Sequence, residues 1–143
     1  SIIESKQKYG EAENTLRTLG LRSGETLSGS RQLQGQSPYL INASIDYKDD
    51  RTRAGLYFNM QGKTLEVVGN GISPDLYTYP FESLNFTFSK SFGQQSKKSI
   101  NLKVENILGS KRESYAESFR SIDQIYTFRD PGVKFSIGYS INL

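Results

Sequence analysis

Two pairs of carboxylates are the residues in this chain best suited to chemistry. Asp49 and Asp50 are adjacent, and Glu11 and Glu13 lie two positions apart. Paired carboxylates can bind a metal ion or act as acid and base, but nothing in the sequence converges on either pair, and Asp-Asp is ordinary turn chemistry. The chain has no cysteine and no histidine, which removes thiolate nucleophiles, imidazole bases and zinc clusters. We therefore predict no enzymatic activity, no catalytic or metal-binding residue and no cofactor.

Basic residues form two short clusters, Lys97-Lys98 and Lys111-Arg112. The clusters fall in different predicted loops, the net charge is only +3, and no motif of a nucleic-acid-binding fold accompanies them. We therefore expect no nucleic acid among the partners.

The composition limits the class of protein. The 143 residues are 35% hydrophobic, and no stretch approaches the roughly 20 apolar residues that a membrane-spanning helix needs. A transmembrane β-barrel is not excluded, because its strands alternate apolar and polar residues. Residues 1–8 lack the apolar region of a signal peptide and are typical of the end of a strand, so we expect the chain to start within a domain.

Five windows alternate apolar and polar residues with a period of two, which predicts strands with one apolar face. They cover residues 39–47, 53–60, 84–92, 100–108 and 133–143. The face that would meet lipid or a core comprises Tyr39, Ile41, Ile45, Tyr47, Leu56, Phe58, Leu84, Phe86, Phe88, Ile100, Leu102, Val104, Phe135, Ile137 and Tyr139.

The connections between these strands alternate in length. Residues 48–51 and 93–98 are short enough for hairpin turns, whereas residues 62–80 and 109–131 are long, as is the segment 9–37. A weak helical period near residues 112–125 is interpreted as loop. Outer-membrane barrels combine short periplasmic turns with long extracellular loops, and compact soluble domains rarely need loops of this length.

A soluble β-sandwich or small barrel is the main alternative, since it also has one apolar and one polar face. Three features favour the membrane barrel. The only charge on the apolar face, Lys90, lies near the short-turn end, and Tyr39, Tyr47 and Phe92 lie towards strand ends, where interfacial aromatics occur. The opposite face is polar, as a barrel lumen would be, and carries Arg53, Lys103, Glu105 and Lys134.

The number of strands indicates part of a larger protein. About five strands cannot close a barrel, for which bacterial single chains use an even number of at least about 8. An open sheet edge in lipid would leave backbone groups unpaired. We expect a C-terminal segment of a longer polypeptide, without a domain boundary inside residues 1–143.

The segment Arg31-Gln-Leu-Gln-Gly-Gln-Ser-Pro-Tyr-Leu-Ile-Asn42 resembles the C-terminal barrel region of TonB-dependent outer-membrane receptors from Bacteroidetes-type bacteria, the SusC-like group. The resemblance covers nearly the whole chain and is strongest over residues 31–80. It continues through Tyr57-Phe-Asn59, Gly62, Val68-Gly69, Pro74-Asp-Leu-Tyr77 and Asn106-Ile-Leu108.

The last predicted strand looks like the β-signal that the barrel assembly machinery recognises. The pattern is a polar residue, a glycine and two spaced hydrophobic residues at the C-terminus, here with aliphatic residues where aromatic ones are usual. Its members are Ser136, Gly138, Ile141 and Leu143.

The resemblance implies an all-β fold, the antiparallel C-terminal strands of a 22-stranded transmembrane barrel with an N-terminal plug. It implies uptake of a scarce ligand across the bacterial outer membrane, driven by the TonB complex. Implied partners are outer-membrane lipid, the rest of the barrel and its plug, the assembly machinery and a SusD-like lipoprotein. A barrel that serves as a structural subunit of an outer-membrane complex, and a soluble or surface-anchored β-sandwich that binds a partner, are the alternatives.

Aromatic residues in the predicted loops offer stacking surfaces for a ligand. The alternative is that they pack loop against loop, which the sequence favours. The residues are Tyr77, Tyr79, Tyr115, Phe119, Tyr126 and Phe128.

Overall fold

The computed structural model describes residues 2–3, 5–70, 73–93 and 97–141. Within these ranges the regular secondary structure is β-strand apart from one short helix, and the strands pair antiparallel, as predicted. The elements are β1 (Lys6–Lys8), α1 (Glu11–Leu19), β2 (Ser30–Gln32), β3 (Leu40–Lys48), β4 (Thr52–Gln61), β5 (Thr64–Val67), β6 (Asp75–Thr78), β7 (Phe81–Phe92), β8 (Lys98–Glu105), β9 (Arg112–Glu117), β10 (Gln124–Arg129) and β11 (Lys134–Ile141).

The five predicted windows form one five-stranded sheet, in the order β11-β8-β7-β4-β3. Strands that are neighbours in this sheet are also consecutive along the chain, if the strands that belong to the four-stranded sheet are not counted. The register aligns like with like, because Leu102 lies opposite Phe88 on one side and Ile137 on the other. The alternation within each strand therefore becomes one apolar face and one polar face of the sheet.

A tight turn joins β3 to β4. The Asp49 backbone N–H donates to the Thr52 carbonyl at 2.8 Å, and the Asp49 side chain accepts from the Asp50 backbone N–H at 2.8 Å. Asp49 and Asp50 thus have turn roles. The turn between β7 and β8 begins at Gly93, whose φ of 85° is in the left-handed region that glycine tolerates best.

The two long connections are not irregular loops. Residues 62–80 contain the hairpin β5–β6 and residues 109–131 contain β9–β10, and the four strands form a second sheet in the order β10-β9-β6-β5. The interpretation of residues 112–125 as loop is wrong, because β9 and the start of β10 occupy much of that segment. Register shifts between Leu65 and Val67 and between Ile125 and Thr127 interrupt the alternation, which hides these short strands from a period-two search.

The chain divides into two compact units. One comprises Ser1–Leu40, Gln61–Pro80 and Arg112–Arg129, and the other comprises Ile41–Met60, Phe81–Lys111 and Asp130–Leu143. The first unit contains the four-stranded sheet, the β1–β2 pair and α1. The second contains most of the five-stranded sheet.

Helix α1 lies in a segment that the sequence analysis left unassigned. Glu11 and Glu13 occupy its first turn and Arg17 its last, which suits the helix dipole. Gly20 ends the helix, with its backbone N–H donating to the carbonyls of Leu16 and Thr18. None of the helix residues is buried, so polar contacts, described below, hold α1 in place.

Leu65 is the single buried hydrophobic residue in the described part of the chain, with 0% exposure. The five-stranded sheet remains open, with β3 and β11 at its edges, and the described residues form no closed barrel. Among these residues, no helix has the length and apolar character needed to span a membrane.

Candidate functional site

The apolar face of the five-stranded sheet is exposed over much of its extent. We use this name for the predicted lipid-facing residues on β3, β4, β7, β8 and β11, together with Tyr39, which immediately precedes β3. The exposed fraction reaches 74% at Ile45, 72% at Phe135 and 80% at Ile137. Eight of the fifteen predicted residues are exposed, namely Ile41, Ile45, Tyr47, Leu56, Ile100, Phe135, Ile137 and Tyr139, and seven are half-buried, namely Tyr39, Phe58, Leu84, Phe86, Phe88, Leu102 and Val104.

Exposed apolar surface on this scale points to a binding partner or a lipid environment. Single exposed apolar residues are common, but contiguous patches mark interaction surfaces. Here the residues are contiguous, because Phe88, Leu102 and Ile137 form one cross-strand row. The face therefore has the chemistry to meet an apolar layer.

Aromatic side chains gather at the short-turn end of this sheet. Tyr47 lies next to the last residue of β3, Phe92 ends β7, and Tyr139 lies near the end of β11. The rings of Phe92 and Tyr139 have their centroids 6.2 Å apart, within the range of favourable aromatic pairs. One end of the apolar face thus carries amphipathic rings.

The opposite face of the sheet is polar. Lys103 and Glu105 form an ion pair at 2.9 Å, and the Tyr57 hydroxyl donates a hydrogen bond to Asp46 on the neighbouring strand. Gly55 lies beside the Tyr57 ring, and a Cβ at this position would collide with it. Polar side chains on this face bind each other, whereas side chains on the apolar face present hydrocarbon.

The predicted assembly signal falls on the edge strand β11. Ser136, Gly138 and Ile141 are paired with Lys103, Asn101 and Lys98 of β8, and Leu143 lies outside the described residues. A Cβ at Gly138 would come no closer than 3.8 Å to Asn101, an ordinary contact, so packing within the sheet does not require a glycine here.

Three of the six predicted loop aromatics come together in the first unit. The rings of Tyr79 and Tyr115 stack with centroids 4.4 Å apart. The Lys63 ammonium lies 4.4 Å from the centroid of the Tyr77 ring and 5.3 Å from that of Tyr79, and it forms an ion pair with Glu117. We call these five residues the tyrosine cluster.

The electrostatics of the tyrosine cluster keep its phenols neutral. Burial, with the negative charges of Asp75 and Glu117 nearby, raises the pKa of Tyr77 to about 12. A hydrogen bond from its hydroxyl to Asp123, at 2.8 Å, raises the pKa of Tyr79 above its usual range. The faces of Tyr77 and Tyr79 contact Lys63, and Tyr79 also contacts Tyr115. Since Tyr77 and Tyr115 are cross-strand partners on β6 and β9, these side chains pack within the four-stranded sheet and next to it.

The other three predicted aromatics do not join the tyrosine cluster. The Arg120 guanidinium lies 5.1 Å from the centroid of the Phe119 ring. Tyr126 and Phe128 lie on β10, an edge strand of the four-stranded sheet, and their exposed fractions are 65% and 52%.

Two parts of the chain that resemble the receptor family, residues 31–42 and Gly62, are held together by hydrogen bonds. The Ser37 hydroxyl donates to the carbonyls of Tyr39, at 2.8 Å, and Gly62, at 3.2 Å, while the Gly62 backbone N–H donates to the Tyr39 carbonyl at 3.0 Å. A Cβ at Gly62 would lie 2.7 Å from the Tyr39 ring, so this position requires a glycine for close approach.

Two further resemblance segments have similar roles. The Gly69 backbone N–H donates to the Asp75 carboxylate at 2.7 Å, and a Cβ at Gly69 would lie 2.1 Å from the Ser73 carbonyl oxygen. Asn106 is buried with φ of 54°, and its side chain donates to the carbonyls of Ser110 and Gly132. These contacts give a structural reason for glycine at position 69 and asparagine at position 106.

An ionic network that the sequence analysis missed holds α1 against β6. The Arg17 guanidinium donates to both oxygens of Asp75, at 2.8 and 3.2 Å, and to Glu13 at 3.1 Å. Arg31 donates to the same Glu13 oxygen at 2.9 Å. Burial favours a higher pKa for Glu13, but the hydrogen bonds and charges of Arg31 and Arg17 outweigh it, so the pKa of Glu13 is lowered.

The only sequence signal for this network was the four-residue spacing of Glu13 and Arg17, which suits a helical ion pair. Their partners, Arg31 and Asp75, are distant in sequence, so spacing alone does not identify them. In the described ranges, no three acidic side chains group closely enough to hold a metal ion.

Comparisons with known protein families, with curated proteins and with solved structures each found no match to this chain.

Proposed function

We propose that this chain supplies C-terminal strands of a TonB-dependent receptor-type barrel in a bacterial outer membrane. The observation that carries the proposal is the exposed apolar face of five antiparallel strands, with Phe135 and Ile137 at 72% and 80% exposure. A hydrocarbon environment stabilises such a face, while the polar face opposite would line the lumen. The residues that resemble the receptor family add independent support.

The aromatic residues at the short-turn end support the same assignment. Tyrosine and phenylalanine rings favour the boundary between hydrocarbon and headgroups, and Tyr47, Phe92 and Tyr139 lie at that end of their strands. The charge on Lys90 also lies towards this end, where a lipid-facing lysine costs about 0 to 1 kcal/mol rather than the 2 to 4 kcal/mol at the midplane.

In this proposal, transport belongs to the whole polypeptide. The remaining strands would close the barrel against the edges β3 and β11, and a plug and the TonB complex would supply gating and energy. The assembly machinery would recognise β11, and a SusD-like lipoprotein would sit over the extracellular side. No catalytic role is proposed for any residue.

Single-cysteine labelling tests the lipid exposure directly, because the chain has no cysteine of its own. Ile137→Cys places a thiol on the apolar face and Asn101→Cys places one on the polar face. In outer membranes we expect a lipid-soluble maleimide to label position 137 and a water-soluble maleimide to label position 101. After denaturation, both thiols should react with both reagents.

The soluble alternatives predict a different pattern. A β-sandwich needs a second protein layer over the apolar face, which would protect position 137 from both reagents in the folded protein. If the protein also stays in the aqueous fraction without detergent, the barrel assignment is wrong. A plug and a TonB box in the parent polypeptide would favour a transporter over a structural subunit.

A further inference from the structure

A continuous row of hydroxyl side chains crosses the four-stranded sheet. The cross-strand pairs are Thr64 with Thr78, Thr78 with Ser114, and Ser114 with Thr127. Each strand of the sheet therefore contributes one hydroxyl to the row. Thr64 and Ser114 are buried, at 6% and 5% exposure. We call these four residues the hydroxyl row.

Glu66 binds the middle of the hydroxyl row. One of its carboxylate oxygens accepts hydrogen bonds from Ser114 at 2.6 Å and from Thr78 at 2.7 Å. These hydrogen bonds lower the pKa of Glu66, with a smaller contribution from the positive charge of Arg112. Glu66 is thus ionised at neutral pH, and it fixes the hydroxyls so that their lone pairs remain as acceptors.

Two arginines flank the hydroxyl row. Arg112 and Arg129 are direct cross-strand partners on β9 and β10, next to the Ser114–Thr127 pair on the same face. Guanidinium groups suit carboxylate and phosphate oxygens in particular, and the positive charges of these two arginines add to each other at one place on the sheet.

These groups line one open cavity of about 380 Å³ in the first unit. The volume is within the range of small-molecule sites, about 300 to 1,000 Å³. Its lining consists of Gly35 and of polar or charged residues, including the hydroxyl row, Glu66 and both arginines, and the methyl and methylene groups of these side chains form more than half of its surface. A lining of this kind suits a hydrogen-bonding ligand that also has a hydrocarbon skeleton.

We propose that this cavity binds a small polyhydroxylated oxyanion, either a carboxylate or a phosphate. Arg112 and Arg129 bind the oxyanion, while Thr78, Ser114, Thr127 and Glu66 accept hydrogen bonds from the hydroxyl groups of the ligand. The Thr64 hydroxyl already donates to the Gly62 carbonyl and accepts from Gln61. Arg112, Arg129 and Glu66 give a net charge of +1, which selects against a neutral polyol. The inference does not depend on lipid contact by the five-stranded sheet.

Calorimetric titration of the purified protein tests this site, in whichever solvent it folds. The probes are D-gluconate, inorganic phosphate and sorbitol, the last a neutral analogue of gluconate, at an ionic strength of about 0.15 M. We expect saturable binding of gluconate and phosphate, and at least tenfold weaker binding of sorbitol. Failure of both anions to bind, or equal binding of sorbitol and gluconate, would overturn the proposal.

Three variants separate a specific site from general attraction to positive charge. Arg129→Gln should weaken gluconate binding at least tenfold, and Arg129→Lys should restore only part of it, because lysine lacks the bidentate geometry. Arg120→Gln removes the same charge from an exposed position outside the cavity and should leave binding unchanged. Equal weakening by Arg129→Gln and Arg120→Gln would show that the site is not specific.

Glu66→Gln gives a result that a purely structural role would not give. The amide keeps an acceptor oxygen for Ser114 and Thr78 but loses the negative charge near Arg112. Binding of inorganic phosphate, which does not need Glu66 as an acceptor for a polyol chain, should therefore become a few-fold tighter. Weaker phosphate binding in a folded Glu66→Gln variant would contradict the proposed arrangement. The labelling result for the apolar face would stand whatever the outcome here.

Discussion

The two large sheets of this chain are stabilised in different ways. In the four-stranded sheet and its surroundings, polar side chains bind each other, through Arg17 and Asp75, Lys63 and Glu117, and Glu66 and Ser114. In the five-stranded sheet, one face has few such contacts and presents apolar side chains. The first sheet carries partners for its side chains, whereas the second leaves many apolar side chains exposed. Changes in solvent, charge and pH should therefore affect the two sheets differently.

The largest expected effect is a charge in the middle of the apolar face. Ile137→Lys should destabilise the folded, membrane-inserted protein by about 2 to 4 kcal/mol, the cost of a lysine at the bilayer midplane. Asn101→Lys, on the polar face opposite Gly138, is the control and should be nearly neutral. The folded fraction in outer membranes, measured by heat-dependent gel mobility, checks both. If Ile137 faces water, both substitutions will be silent.

The ionic network should be the most sensitive part of the first unit. Arg17→Met removes the hydrogen bonds to Asp75 and Glu13, and we expect a loss of about 1.5 to 3 kcal/mol, the range for hydrogen bonds to charged groups. Amide hydrogen exchange in α1 and β6 should become faster, whereas exchange in β8 should not change. Arg120→Met, at an exposed arginine of the same unit, should change exchange little. Equal effects on β8 would mean that the two sheets are not energetically distinct.

The close contact between Gly62 and the Tyr39 ring gives a steric test. Gly62→Ala places a Cβ 2.7 Å from the Tyr39 ring, and overpacking of this kind costs about 1 to 3 kcal/mol. Gly138→Ala is the matched control in the five-stranded sheet, where the nearest neighbouring atom would be 3.8 Å away. In denaturant unfolding of the purified proteins, the midpoint concentration should be lower for Gly62→Ala and unchanged for Gly138→Ala. Normal stability of Gly62→Ala would show that Tyr39 moves aside at little cost.

Acid should weaken the first unit more gently. The pKa values of Glu13 and Glu66 are lowered from the ordinary value of 4.5, so the stability they contribute is present above pH 4.5 and is lost as the pH falls through their folded-state values. The protection factors of amides in α1, β6 and β9, which correct for the slower intrinsic exchange in acid, should fall below pH 4.5. Glu13→Gln and Glu66→Gln should each remove part of this dependence, and an unchanged profile in both variants would contradict it.

Clean alternation made the five-stranded sheet predictable from the sequence. Each of its strands has one apolar and one polar side over eight or more residues, so the pattern identifies both the strand and its faces. The strands of the other sheet are four to six residues long, and two of them contain register shifts. A short, irregular strand has too few positions to show a period, which is why β5, β6, β9 and β10 were interpreted as loop.

The polar contacts of the first unit could not be derived from local pattern. Arg17 and Asp75 are 58 residues apart, and Glu66 and Ser114 are 48 apart, so only the fold brings them together. The sequence offered six aromatic residues as stacking surfaces, but it could not show that Lys63 contacts Tyr77 and Tyr79 or that Tyr79 contacts Tyr115. The hydroxyl row was equally invisible, because it depends on the register of four strands.

The hairpins within the long connections also bear on how the protein folds. Pairing of Thr64 with Thr78 closes the connection between β4 and β7 locally, so these strands need not search for each other across a flexible chain. The β9–β10 hairpin does the same between β8 and β11. Since the entropy of loop closure grows with the length of flexible chain, we expect early hairpin formation to speed the pairing of the longer strands.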